Sequence, residues 1–159
     1  MQQALASYVR TILSGDSPYD RYLEGHRDAL TAEQRLGLRL FRGRAGCASC
    51  HLGPNLTDER FHNTGIGRPK DEGRYAVTKS ERDRGAFKTP SLREAARTPP
   101  YMHDGSLKTL EEVIDFYDKG GKPNPALDPE IRELGLTAEE KAALVVFLKA
   151  LNGTVRDGM

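Results

Sequence analysis

The sequence predicts an all-α domain in which short helices are joined by long irregular loops. Four segments carry apolar residues at helical spacing, and three of them open with a capping pair at their N-terminal end. The stretch between His51 and Pro90 is instead rich in glycine and polar residues and shows neither a helical nor a strand period. The length of 159 residues fits one domain.

The first predicted helix is marked by apolar residues that recur three or four positions apart: Leu5, Tyr8, Val9 and Ile12. Gly15 and Pro18 end this segment, because neither residue continues a helix well. We expect residues 1–28 to form an N-terminal helix or arm. Residues 29–159 then form the core, and the whole chain, 1–159, is a single domain.

The three later helices each begin at a threonine followed three residues on by Gln or Glu. In such a capping box, each side chain accepts a hydrogen bond from a backbone N–H of the other residue. The pairs are Thr31/Gln34, Thr109/Glu112 and Thr137/Glu140, and Ser91/Glu94 predicts one more. The apolar faces are Leu36, Leu40 and Phe41 in the first, Leu110, Val113, Ile114 and Tyr117 in the second, and Leu144, Phe147, Leu148 and Leu151 in the third.

The composition excludes two classes of partner. Lys and Arg number 24 against 23 for Asp and Glu, and the two signs are interspersed, so no basic stripe indicates nucleic acid. No apolar run approaches the length of a membrane span. Apolar residues make up 37% of the chain and tryptophan is absent, which predicts a thin core that a large buried prosthetic group would help to fill.

The strongest motif is formed by Cys47 and Cys50, the two cysteines of the chain, with His51 directly after them. Residues i and i+3 of a helical turn share one face, so both thiols can reach the two vinyl groups of one porphyrin while the imidazole approaches its iron. This Cys-x-x-Cys-His pattern is typical of c-type haem attachment. We therefore predict one covalently bound haem c, with His51 as proximal ligand, in a cytochrome c-like domain whose loops wrap around it.

Three other uses of the cysteine pair would make this a non-haem domain. A thioredoxin-like redox pair requires a βαβ pattern, which the sequence does not show. A zinc site requires four ligands, and Cys47, Cys50 and His62 supply three without a fourth nearby. The third alternative is a structural disulfide beside an incidental histidine.

Three residues compete for the second axial position of the iron, which decides the redox function because the axial ligand tunes the potential. Met102, about fifty residues after the motif, would suit a His/Met electron carrier. His103 would give a bis-histidine haem. Tyr117 lies on the apolar stripe of its helix, so its ring is expected to face the interior. Spacing alone leaves all three open.

Several ordered strings resemble the bacterial di-haem cytochrome c peroxidase and MauG family, and specifically its C-terminal haem domain. The strings are Phe87-Lys88-Thr89-Pro90-Ser91-Leu92-Arg93, Thr98-Pro99-Pro100-Tyr101-Met102-His103-Asp104-Gly105-Ser106 and Thr109-Leu110-Glu111-Glu112-Val113. The resemblance extends from about Ala4 to Leu151 and includes the arm from Leu13 to Tyr22.

The resemblance implies roles for individual residues. In the family, the eighth residue of the helix that begins at Leu110 is an axial ligand, methionine in the peroxidase branch and tyrosine in the MauG branch. In this chain that residue is Tyr117, so the resemblance implies a haem held by His51 and Tyr117. The family commonly has an aromatic residue in place of Met102. Arg93 resembles a residue near the haem propionates, and His103 a residue kept near the haem. The backbone carbonyls of Thr98 and Pro100 match positions that bind calcium between the family's two haem domains.

The resemblance also implies a function and partners. Family members carry two haem motifs and this chain has one, so we expect the electron-transfer half of a MauG-like oxidoreductase, without its peroxide-reactive haem. Its expected partners are an N-terminal haem domain or second redox protein, and an electron donor or protein substrate. The alternative is a free-standing monohaem electron carrier with Met102 on the iron. Residues up to Leu13 lack a secretory signal. Either a leader has been removed or the chain is a segment of a longer protein, and we expect the second. We also expect a periplasmic location, because c-type haem is normally attached there.

Overall fold

The computed structural model describes residues 2–67 and 71–156, so residues 1, 68–70 and 157–159 of the predicted domain lie outside the described part. The fold is largely helical with irregular loops between the helices. The α-helices are α1 (Gln2–Val9), α2 (Pro18–Leu23), α3 (Ala32–Arg42), α4 (Tyr75–Thr78), α5 (Leu110–Asp118) and α6 (Ala138–Lys149). Single turns of 3₁₀ helix lie at Arg27–Ala29, Cys47–Ser49, Glu81–Asp83 and Ala95–Arg97. No helix in the described ranges has both the length and the apolar character to cross a membrane.

Two short antiparallel ladders accompany the helices. The strand β1 (Leu13–Gly15) pairs with β4 (Thr154–Arg156), and β2 (Phe61–His62) pairs with β3 (Phe87–Lys88). The first ladder joins the N-terminal arm to the C-terminal segment, and the second joins two loops of the long irregular stretch. Neither ladder was expected from the sequence, because pairs this short carry no measurable alternation of polar and apolar residues.

Capping chemistry determines where three of the helices begin. The capping boxes at Thr31 and Thr137 are complete, with both reciprocal hydrogen bonds present. At the start of α5, Thr109 accepts a hydrogen bond from the backbone N–H of Glu112, but the Glu112 carboxylate accepts one from the N–H of Lys108 instead of Thr109. These helices are therefore confirmed as the sequence predicted them.

The capping box predicted at Ser91 is wrong. Glu94 has a left-handed backbone (φ 61°) and is followed by the single 3₁₀ turn rather than by an α-helix. The Ser91 hydroxyl accepts a hydrogen bond from the backbone N–H of Arg93, which closes a local turn. The Glu94 carboxylate accepts hydrogen bonds from the Ser14 hydroxyl and the Gly153 N–H, both at 2.6 Å, so it joins β1 to the residue just before β4.

The core forms where α3 crosses α6. Phe147 is fully buried there, and its ring lies 5.5 Å from that of Tyr19 and 5.2 Å from that of Phe41. The two helices approach closely at Gly37, where a Cβ atom would overlap the carbonyl oxygen of Ala143. Glycine is therefore required sterically at this crossing, although it lowers the intrinsic helix propensity of α3.

The N-terminal arm contains both exposed and buried parts. The helix α1 has no buried residue, and Leu5 on its predicted apolar face is 61% exposed. Within the segment 1–28, however, Ser17 and Tyr19 are buried, and Tyr19 belongs to the core cluster. The core therefore takes in α2, and the exposed arm is confined to the residues before it.

Candidate functional site

The cysteine motif forms a tight turn that brings its three functional side chains together. The 3₁₀ turn Cys47–Ser49 starts after Gly46, whose left-handed backbone (φ 67°) lets the chain reverse directly after α3. The backbone N–H of His51 donates to the carbonyl of Cys47 at 2.9 Å, which closes the turn. Both cysteines carry free thiols, so no disulfide joins them.

The turn forms one wall of a cavity of about 480 Å³. This volume lies within the range typical of cofactor sites. Its apolar walls include Leu92, Tyr101, Leu110, Val113, Leu134 and Leu148. Eight of the nine predicted site residues line it: Cys47, Cys50, His51, Thr98, Pro100, Met102, His103 and Tyr117. The structure thus brings together residues that lie as much as 70 positions apart, from Cys47 to Tyr117.

The imidazole of His51 has a fixed orientation. Its Nδ1 lies 2.9 Å from the carbonyl oxygen of Leu56, which can only accept a hydrogen bond, so Nδ1 carries the proton and Nε2 is unprotonated in the neutral ring. Burial lowers the pKa of His51, which keeps the ring neutral at pH 7. A neutral ring with one nitrogen held by a backbone carbonyl is the usual arrangement of a metal-binding histidine.

The two thiols are protonated at neutral pH. Burial raises the pKa of Cys47 to about 11, with a smaller contribution from the neighbouring Cys50. Burial also raises the pKa of Cys50. The direction of both shifts is opposite to that of the activated thiolate in a thioredoxin-like redox pair, which requires a lowered pKa.

Tyr117 lies on the face of α5 that lines the cavity. Burial raises the pKa of its phenol to about 12, and the nearby sulfur atoms of Cys47 and Cys50 act in the same direction. A hydrogen bond with Thr64 acts against this increase. The phenol is therefore protonated until a cation in the cavity stabilises the phenolate.

Met102 and His103 lie on the loop that leads to α5. Met102 has a left-handed backbone (φ 69°), which is uncommon for a side chain of this size. The His103 ring stacks on Phe87, with ring centroids 3.4 Å apart, and its Nε2 lies 2.7 Å from the carboxylate of Asp71. The contact with Asp71 fixes the ring orientation of His103 at the edge of the cavity.

Arg93 is the predicted site residue that does not line the cavity. Its guanidinium forms a bidentate pair with Asp20, at 2.8 and 2.9 Å, and its Nε donates to the carbonyl of Pro54. Asp20 belongs to α2, and Pro54 follows the haem motif. In this structure Arg93 therefore joins α2 to the loop behind His51.

Two carboxylates that the sequence did not single out surround His62 beside the cavity. Nδ1 of His62 lies 2.6 Å from Asp128, and Nε2 lies 2.9 Å from Asp58. Burial lowers the pKa of His62, but the two carboxylates outweigh it, so the pKa lies above the usual value. Potential ligand atoms of Cys50, Asp58 and His62 lie within 4.8 Å of one another. The structure thus groups His62 with Cys50 and Asp58, and not with Cys47 as the zinc alternative supposed.

Comparisons with known proteins agree on one family, although no family model matches the chain. The cytochrome-c peroxidase IdrP2 of Denitromonas iodatirespirans is 40% identical over 178 residues, which cover 94% of this chain and 47% of the relative. The methylamine utilization protein MauG of Methylorubrum extorquens is 43% identical over 150 residues, covering 93% and 42%. The chain therefore spans about half the length of these curated relatives.

Solved structures show the same relationship. A MauG-like protein associated with microbial copper homeostasis superposes with a TM-score of 0.81 and 38% identity, over 87% of this chain and 52% of that chain. The diheme peroxidase BthA from Burkholderia thailandensis gives a TM-score of 0.71 at 24% identity, over 87% and 46%, which supports the fold alone. On these similarities of sequence and fold, the chain belongs to the cytochrome c peroxidase and MauG family.

Proposed function

We propose that this chain is a c-type haem redox domain, the electron-transfer half of a MauG-like oxidoreductase. It relays electrons or stores oxidising equivalents for a peroxide-reactive centre that lies outside it. The observation that carries the proposal is the cavity in which Cys47, Cys50, His51 and Tyr117 meet. The names of the relatives, peroxidases and MauG proteins, support the class of chemistry.

The residues of the cavity fit a covalently attached haem. Each thiol of Cys47 and Cys50 would add across one vinyl group, with the sulfur forming a thioether and the proton completing the new C–H bond. The unprotonated Nε2 of His51 would hold the iron. When bound, the haem supplies one-electron chemistry at its iron. The apolar side chains of the walls would limit the access of water to it.

Tyr117 is the proposed second ligand. Burial raises the pKa of its phenol to about 12, so the phenol carries its proton where no cation is nearby. Tyr117 would lose this proton to solvent and hold a ferric iron as its phenolate, because a nearby cation lowers the pKa of a weakly acidic ligand. An anionic oxygen ligand favours the oxidised metal, so we expect a low potential and an iron that does not open to peroxide.

A second candidate function rests on the position of Met102, which also lines the cavity. With Met102 on the iron, the chain would be a free-standing electron carrier of higher potential. Tyr117 would then be a buried aromatic side chain without a role in ligation. The two candidates predict different ferric spectra, because methionine ligation gives a sulfur-to-iron charge-transfer band in the red.

The remaining roles belong to the same proposal. Thr98 and Pro100 lie together at the cavity, and their carbonyl oxygens are the proposed ligands of a calcium ion shared with an N-terminal haem domain. His103 is a proposed haem-pocket residue. We place the protein in the periplasm, where haem is attached to paired cysteines, with an electron donor or a protein substrate as its further partner.

The test is to express the chain in the periplasm of a host that attaches haem c and to measure its mass and spectra. We expect a mass increase equal to one haem, and loss of that increase when both cysteines are replaced by serine. Tyr117→Phe should change the ferric spectrum, whereas Tyr101→Phe, which alters another cavity tyrosine, and Met102→Leu should not. A spectrum that responds to Met102→Leu but not to Tyr117→Phe would favour the electron carrier, and a bare polypeptide mass would refute both.

A further inference from the structure

A second concave surface lies between α2 and α3, outside the haem cavity. This groove measures about 380 Å³ and is lined by Tyr22, Arg35, Leu38, Arg39, Arg42 and Gly43. The three arginines follow one another at intervals of four and three residues, so they share one face of α3. Leu38 is 5% exposed and forms the buried floor, and Tyr22 packs against the core from α2.

Within the described residues, the arginines of the groove lack a carboxylate partner of the kind that the adjacent Arg44 has. Within residues 2–67 and 71–156, no ion pair within 4.0 Å involves Arg35, Arg39 or Arg42, whereas the adjacent Arg44 is paired with Glu140. Arg35 donates to the carbonyl oxygens of Arg27 and Leu30, which hold its guanidinium in place without neutralising it.

The two other guanidinium groups complete the charged wall. Arg42 donates to the Tyr19 hydroxyl at 2.9 Å, so its position is also fixed while its charge remains uncompensated. No side-chain hydrogen bond of Arg39 exists within the described ranges, and its residue is exposed. Three positive charges thus line an aromatic and aliphatic floor, two of them with restricted side chains.

The groove lies beside the haem cavity. Gly43 is the last groove residue along the chain, and Ala45 is the first residue of the cavity lining, so only Arg44 separates the two surfaces. Two residues span at most about 7 Å of chain. A molecule seated in the groove therefore lies close to the turn that carries Cys47.

We propose that this groove is a docking surface for a protein partner with a carboxylate-rich patch that exchanges electrons with the haem. The inference rests on the proposed redox function and adds the electrostatic character of the partner. Guanidinium groups bind carboxylates through paired hydrogen bonds, and arginine with tyrosine is the composition enriched at interface hot spots. Uncompensated charge of one sign also speeds association with an oppositely charged partner.

The test uses the haem-loaded chain and a fluorescein-labelled hexaglutamate peptide as the probe, with binding followed by fluorescence anisotropy. We expect binding that weakens as salt is added and that weakens about tenfold in Arg39→Glu, because the new charge repels the probe. The matched control is Arg10→Glu, an exposed arginine outside the groove, which should change the affinity less than twofold. Arg39→Lys, which keeps the charge, should retain most of the binding.

A kinetic measurement links the groove to electron transfer. The bimolecular rate of haem reduction by a flavodoxin, an acidic one-electron donor, should fall about tenfold in Arg39→Glu and stay unchanged in Arg10→Glu. Equal effects of Arg39→Glu and Arg10→Glu would overturn the proposal. Inorganic phosphate that displaces the peptide more than chloride does at equal ionic strength would also overturn it, because such displacement indicates a simple anion site. The haem spectrum of the same samples reports separately on the proposed redox function.

Discussion

Replacement of Asp20 by asparagine should destabilise the protein in a pH-dependent manner. The paired hydrogen bonds from Arg93 lower the pKa of Asp20 from 3.8 to about 2, against the opposing effect of burial, and the Ser17 backbone and hydroxyl contribute further. One pKa unit corresponds to about 1.4 kcal/mol, so the native contacts of the carboxylate contribute about 2 kcal/mol. The side chains of Arg93 and Asp20 are only 14% and 17% exposed, so little of this is lost to solvent screening.

The direction of the pH dependence follows from the lowered pKa of Asp20. The stabilisation is fully present above pH 3.8 and is lost as the pH falls toward 2, where the native carboxylate becomes protonated. The difference in unfolding free energy between wild type and Asp20→Asn should therefore be about 2 kcal/mol at pH 7 and approach zero near pH 2. Urea unfolding of the haem-loaded proteins, followed by circular dichroism, measures it at each pH.

Asp16→Asn is the matched control, because Asp16 is 64% exposed and lies 3.7 Å from its partner Arg21. Its effect should stay within about 0.5 kcal/mol throughout. Acid-induced loss of the proposed ligation by His51 would affect all three proteins equally and cancel in the differences. An Asp20→Asn effect that is independent of pH, or no larger than that of the control, would refute the assignment of Arg93 to this ion pair.

Three further substitutions test other parts of the structure. Gly37→Ala should lower the free energy of unfolding by about 2 kcal/mol, because overlap with Ala143 exceeds the gain in helix propensity. The Tm should fall by about 4–8 °C. In the control Gly15→Ala, a Cβ meets nothing within 4 Å, so the Tm should stay unchanged. Glu94→Ala should cost about 2 kcal/mol in urea unfolding and speed proteolysis of the arm, since two hydrogen bonds to a carboxylate are lost. His62→Gln should destabilise the protein more at pH 5 than at pH 9. The raised pKa of His62 gives stability that disappears as the pH rises through that pKa. Equal destabilisation at pH 5 and pH 9 would contradict the environment of two carboxylates.

Three helices and the turn that groups Cys47, Cys50 and His51 could be predicted because their signals are local. The capping boxes at Thr31 and Thr137 specify a helix start through residues three positions apart, and the structure contains both. The Cys-x-x-Cys-His turn likewise needs only adjacent residues. The stripe that includes Tyr117 is periodic, so the expected inward direction of its side chain agrees with its place in the cavity lining.

The features that escaped prediction depend on residues far apart in the chain. Asp128 lies 66 residues from His62, and no local pattern relates the two. Glu94 resembled the third residue of a capping box, yet contacts to Ser14 and Gly153 hold it in a left-handed conformation. The place of Arg93 near the haem propionates stays a prediction, but its bidentate contact with Asp20 of α2, 73 residues away, has no local signal. At Glu94, tertiary contacts outweigh the local capping signal.

His51 and Tyr117 both line the cavity, and their separation along the chain bears on how the loops between them become ordered. Tyr117 follows His51 by 66 residues, and that interval contains most of the irregular backbone. Simultaneous bonds from both side chains to one metal atom would act as a cross-link across this interval, and closing a loop of such length lowers the entropy of the unfolded chain by an amount equivalent to about 4 kcal/mol. Under the proposed function, haem binding would therefore order the intervening loops as the domain folds.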